Sequence, residues 1–119
     1  MTYAAGVVPK EKLIMGLPFY GCDWNLSDAR KTKHVYYREV LETIQAHGGD
    51  YKIDSLTKSP NYRYTDANNE NHHIWFENAE SFSCKMKISE KLGLRGISTW
   101  VFIKEDPGCW EQLRDFISR

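Results

Sequence analysis

Two apolar runs, one near each end of the chain, limit what it can fold into. Lys12-Leu-Ile-Met-Gly-Leu-Pro-Phe-Tyr-Gly21 follows Pro9 and closes on glycine; the other is Leu94-Arg-Gly-Ile-Ser-Thr-Trp-Val-Phe-Ile103. A short continuous apolar run between turn-forming residues reads as a strand buried on both faces. Pro18, which has no N–H to donate, marks where ladder pairing in the first run stops. A helix is expected directly before the second run. Asn78 can cap it, Phe82, Met86 and Ile88 lie along residues 79–92, and Gly93 stands just past its end. A helix leading straight into a buried strand is the rhythm of an α/β barrel or a doubly wound sheet. Asp106-Pro107 then supplies an N-cap and first-turn proline for a last helix bearing Trp110, Leu113 and Ile117.

The segment between these elements breaks that rhythm. Asp23 to His34 is polar and without periodicity, which predicts a loop. Tyr36, Val40 and Ile44 fall four apart, predicting a helix over 35–47 with Gly48-Gly49 as its C-terminal cap. Residues 51–56 are expected to form a short strand. Residues 62–65 and 72–77 flank Asp66-Ala67-Asn68-Asn69 and read as a β-hairpin. Residues 22–77 therefore form a small α+β insert between the two buried strands.

Composition removes several function classes. At 119 residues the chain is one domain or a piece of one. Sixteen basic residues balance sixteen acidic ones with no long cationic run, so neither nucleic acid nor an anionic membrane is an expected partner. No apolar stretch approaches the roughly 20 residues a membrane helix needs. Residues 1–10 lack a charged segment followed by an apolar one, so no signal peptide is read there. Cys22, Cys84 and Cys109 show no C-x-x-C spacing. They read as three unpaired thiols, with one disulfide and a leftover thiol as the alternative. His72 and His73 are adjacent, so on a strand they point to opposite faces and cannot share an ion. No metal site and no cofactor is expected, since a Gly-rich phosphate loop and a G-x-S-x-G elbow are also missing.

The aromatic residues are the candidates for binding. Tyr20 and Trp24 follow the first apolar run, Trp100 lies late in the second, and Tyr62, Tyr64 and Trp75 lie on the hairpin. In parallel α/β folds ligands bind outside the carboxyl ends of the strands. Flat aromatic faces placed there match the C–H faces of pyranose rings. Core filling is the competing role for each ring, least so for Trp100.

These residues bring a resemblance with them. The segment 12–24, ending Phe-Tyr-Gly-Cys-Asp-Trp24, resembles the seventh barrel strand of family 18 glycoside hydrolases, and Ile74-Trp-Phe-Glu-Asn-Ala-Glu-Ser81 resembles the start of their seventh helix. Leu92-Gly-Leu-Arg-Gly-Ile-Ser-Thr-Trp100 is similar to their eighth strand, and Ser59-Pro-Asn-Tyr-Arg-Tyr-Thr-Asp66 to the insert hairpin of the chitobiase and spore-germination branches. The resemblance implies the C-terminal portion of a (β/α)8 barrel: the end of helix six, strands seven and eight with their helices, and the α+β insert. It implies a role in hydrolysing β-linked N-acetylglucosamine glycans, either chitin oligosaccharides or peptidoglycan. Trp100 would be the floor under the sugar, Tyr20 and Trp24 would stand at the strand-seven mouth, and Tyr64 would form a wall from the insert. The implied parent is secreted or associated with a cell wall or spore.

The same resemblance exposes an omission. In that family the substrate's own acetamide attacks the anomeric carbon while a glutamic acid protonates the leaving oxygen. The acid stands in a D-x-x-D-x-D-x-E run, and no such run occurs here. Asp50 and Asp54 have the wrong spacing, and Ala4 follows Met1-Thr-Tyr3 where that family's strand six has an aspartate. No catalytic residue is therefore expected in this chain, and a non-catalytic sugar-binding or assembly module is the alternative. Asp23, Glu105 and Asp106 read as solvated loop acids or helix caps. Two barrel strands standing alone would leave edges unpaired, so self-association, or a missing barrel half, is expected.

Overall fold

The computed structural model describes residues 1–119. After a short helix α1 (Thr2–Val7), β1 (Ile14–Pro18) leads into a second sheet made of β2 (Gly21–Asn25), β3 (Lys33–Val35), β4 (Asp50–Ile53), β5 (Pro60–Thr65) and β6 (Asn71–Trp75). Helix α2 (Tyr37–Ala46) lies between β3 and β4. The chain then returns through α3 (Ala79–Leu92) to β7 (Gly96–Trp100) and ends in α4 (Gly108–Ile117). No helix is long and apolar enough to cross a membrane.

β1 and β7 pair in parallel, from Ile14 opposite Gly96 to Pro18 opposite Trp100. Strand alternation sends Met15, Leu17 and Ile97 to one face, where Leu17, Phe19, Phe82, Met86 and Cys109 form a core beneath α3 and α4. Helix α3 is set by its ends. Asn78 accepts from the Ser81 N–H at 2.9 Å, the Ser81 hydroxyl accepts from the Asn78 N–H at 3.0 Å, and Gly93 turns out of the helix at φ 64°. Both apolar runs are longer than the strands they yield, and neither strand is covered on both sides. Ile14 is 53% and Trp100 71% exposed. The expectation of strands buried on both faces is thus corrected: the second face is apolar in sequence but open in this chain.

The second sheet has the order β3-β2-β6-β5-β4, antiparallel throughout. One of its faces carries a separate core of Val35, Val40, Tyr62, Ile74 and Phe76, closed by α2. The expected loop over 23–34 is instead β2, a 3-10 turn at Ala29–Lys31 and β3. Its inward residues, Asp23 and Asn25, are polar, so hydropathy alternation fails there although both are buried. Val35 ends a strand rather than opening α2, whose start is fixed by the Glu39 carboxylate accepting from the Tyr36 N–H at 2.8 Å. The Gly48-Gly49 cap is also corrected. His47 leaves the helix extended, and Gly49 is glycine because a Cβ would sit 2.4 Å from the Tyr62 ring. The strand expected over 51–56 stops at Ile53, where Asp54 closes a turn by accepting from the Thr57 N–H and hydroxyl, each at 2.7 Å. All three cysteines are free.

Candidate functional site

Trp100 is the last residue of β7 and stands on the open face, together with Gly16, Pro18 and Ser98. Tyr20 comes two residues after β1, and it joins Trp100, Pro18 and Ser98 in lining one depression at the carboxyl ends of both strands. The two aromatics picked out at the strand ends are therefore brought together. The Tyr20 ring also packs on His34 of the second sheet at 5.1 Å between centroids, so the depression runs on to that sheet.

Two cross-strand rows cross the sheet face opposite α2. Trp24, His73, Arg63 and Asp50 make one; His34, Cys22, Trp75, Asn61 and Lys52 make the other. Trp24 is 51% exposed in the first row. His73 packs on Trp75 at 5.3 Å, and its Nε2 lies 3.0 Å from Asn61 Oδ1.

Tyr64 lies on the other face, with Tyr62 and His72. Its ring stacks on His72 at 4.6 Å and its hydroxyl donates to Asp23 Oδ2 at 2.8 Å. Burial, then the Asp23 carboxylate, push the Tyr64 phenol well above its usual range. Tyr64 and Trp24 therefore stand on opposite faces of the second sheet. Asp23 is also not a solvated loop acid. It is 3% exposed and accepts from Tyr64, with His72 Nδ1 2.8 Å from its other oxygen. Asp106 does cap, accepting from the Gly108 and Ala79 N–H groups, and Glu105 accepts from the Trp110 indole.

His72 and His73 do separate to opposite faces. One cluster escaped the sequence reading. Asp66, Glu70 and His72 hold three potential ligand atoms within 4.8 Å of one another. Each already has a partner: Glu70 pairs with Lys31 and accepts from Asn25, Asp66 accepts from the Glu70 and Asn68 N–H groups, and His72 contacts Asp23. Those bonds hold the Asp66 and Glu70 carboxyls below their ordinary range: for Asp66 chiefly the Glu70 N–H, for Glu70 chiefly Lys31. Glu77 is likewise satisfied, by Lys85, Ser59 and Ser81.

A parallel α/β pair with aromatics at its carboxyl mouth and an antiparallel insert beside it belongs to the chitinase-like fold. Residues 1–105 match the glycosyl hydrolases family 18, and the chain belongs to that family. It is 33% identical to the cortical fragment-lytic enzyme of Bacillus subtilis over 97% of its own length and 27% of that enzyme. It is 29% identical to rat di-N-acetylchitobiase, covering 96% of this chain and 35% of the relative. The crystal structure of a chitinase from Chromobacterium violaceum superposes with a TM-score of 0.87 at 28% identity, over 99% of this chain and 37% of that one. The chain thus spans only a quarter to a third of the curated relatives it matches.

Proposed function

We propose that this chain supplies one side of the glycan cleft of a family 18 glycoside hydrolase acting on β-linked N-acetylglucosamine polymers. In this reading β1 and β7 are the seventh and eighth strands of a (β/α)8 barrel, and residues 22–77 are the insertion subdomain. Trp100 is the floor under the sugar, Tyr20 lies beside it, and Trp24 extends the wall along the insert. Tyr64 braces that wall from behind. The observation that carries the reading is the joint depression of Tyr20 and Trp100 on an otherwise uncovered strand face. The names of the relatives support an N-acetylglucosamine glycan, and the missing D-x-x-D-x-D-x-E run supports a binding rather than a cutting role for these residues. The test is a titration with chitotetraose followed by tryptophan fluorescence. Trp100→Ala should abolish binding by the chain while leaving its circular dichroism unchanged, and undiminished binding by that variant would overturn the assignment.

A further inference from the structure

The turn that follows Trp100 is held by groups outside it. Ile103 is 90% exposed and stands at φ 75°, in the left-handed region that a β-branched residue disfavours. Packing of its own side chain cannot fix that backbone, so the residues on either side of it must. On one side Phe102 stacks on Trp110 of α4, with ring centroids 5.8 Å apart. On the other side the anchor is Lys104, and its partners open α2. The Lys104 carbonyl accepts from the Tyr37 N–H at 3.1 Å, and its Nζ stands over the Tyr36 ring, 4.6 Å from the centroid. Tyr36 is half-buried, and its backbone is fixed in turn by the Glu39 carboxylate. Trp100 is tied at the near end of the turn, where its carbonyl accepts from the Phe19 N–H. Most of its side chain is open to solvent. The place of the indole therefore follows from the backbone before and after it.

We propose, on the basis of the glycan reading above, that Tyr36 and Lys104 are positioning residues for the sugar floor. Helix α2 holds the turn over residues 101–103, and the turn holds Trp100. Neither residue needs to touch the saccharide. A cation over the face of a tyrosine is attracted by the quadrupole of the ring, and at an exposed site this is worth a few-fold in an equilibrium constant. The same lysine gives its carbonyl to Tyr37, so a side-chain contact and a backbone bond act at one point. The insert thus contributes to the cleft from a second place, well away from Trp24, by fixing the chain that leaves β7.

The experiment follows chitotetraose affinity and the indole N–H cross-peak of Trp100, assigned by its loss in Trp100→Ala. Lys104→Met and Tyr36→Leu keep the bulk of each side chain and remove the contact. Each should weaken binding by about two- to fivefold, the worth of one exposed cation–π pair. Each should also shift or broaden the Trp100 cross-peak while those of Trp24 and Trp75 stay in place. The double variant should bind no more weakly than either single one, because both remove the same contact. Lys104→Arg and Tyr36→Phe keep a cation over a ring and should retain the affinity of the parent. Circular dichroism and urea unfolding check that all variants fold as the parent does. Parental affinity in Lys104→Met and Tyr36→Leu, additive losses in the double variant, or an equal loss in the two conservative variants overturns the positioning role and leaves the glycan reading standing. If the parent chain does not bind chitotetraose, the glycan reading falls and this inference falls with it.

Discussion

The Tyr64 hydroxyl on β5 donates to the Asp23 carboxylate on β2 across an intervening strand, passing over the His72 ring of β6. Three strands are thereby joined by side chains as well as by their backbone ladder. Tyr64→Phe should cost about 1.5–3 kcal/mol, the usual range for a hydrogen bond to a charged group. Asp23→Ala should cost more, because it strands both the phenol and the imidazole in a buried site. Urea unfolding followed by circular dichroism measures both, and a Tyr64→Phe variant as stable as the parent would show the bond to be idle.

The two hydrophobic clusters share no residue, which predicts that they can be damaged separately. Phe82→Ala removes a ring that is 1% exposed from the cluster under α3 and α4 and should cost about 3–5 kcal/mol there. Amide protection should fall in β1, β7 and α3 while persisting in β5 and β6. Uniform loss of protection would mean that the clusters unfold as one.

Both outer edges of the β1–β7 pair are unpaired, and Ile14, Trp100, Phe102 and Ile103 are exposed beside them. Open edges next to apolar surface recruit further strands. Sedimentation of the isolated chain should show a mass that rises with concentration. A constant monomer mass at high concentration would contradict this.

The pKa of His73 is lowered in the folded chain from an ordinary value of 6.5, first by burial and then by Arg63. A depressed value contributes stability that is present above pH 6.5 and is lost as pH falls through the folded value. A proton NMR titration should place the His73 midpoint below 6.5. Arg63→Gln should move it up only part of the way, because burial is the larger cause.

Cys109 is 1% exposed, and burial pushes its thiol up to about 12. An aromatic disulfide reagent at pH 8 should therefore modify Cys84 and Cys22 in the folded chain and spare Cys109 until denaturant is added. Three equally fast thiols would contradict this packing.

Sequence reading located what depends on local chemistry. Helix α3 is predicted with its observed limits because Asn78 and Gly93 are strong end signals, and the hairpin of β5 and β6 announces itself through Asp66-Ala67-Asn68-Asn69. It failed where polar side chains face inward. The β2–β3 segment looks like loop because Asp23 and Asn25 are buried with partners 41 to 49 residues away, Tyr64, Glu70 and His72, which no local window contains. Tyr20 and Trp100 could be singled out from their places at strand ends. That Trp24 and Tyr64 point apart follows from a register that the sequence does not reveal, because the strand carrying Trp24 buries Asp23 and Asn25 and so shows no apolar alternation.

The five-stranded sheet leaves and rejoins the rest of the chain at one point. Gly21 opens β2 beside Trp75 and Phe76, where a Cβ would come within 2.6 Å of the Phe76 side chain and the Trp75 carbonyl. Departing and returning chain lie side by side there, and two further bonds tie the sheet to the rest of the chain: the Tyr37 N–H donates to the Lys104 carbonyl at 3.1 Å and Lys85 donates to the Ser59 hydroxyl at 3.0 Å. Any exchange of residues 21–75 for the corresponding segment of a relative must therefore carry the glycine with it and keep partners for Lys85 and for the Lys104 carbonyl.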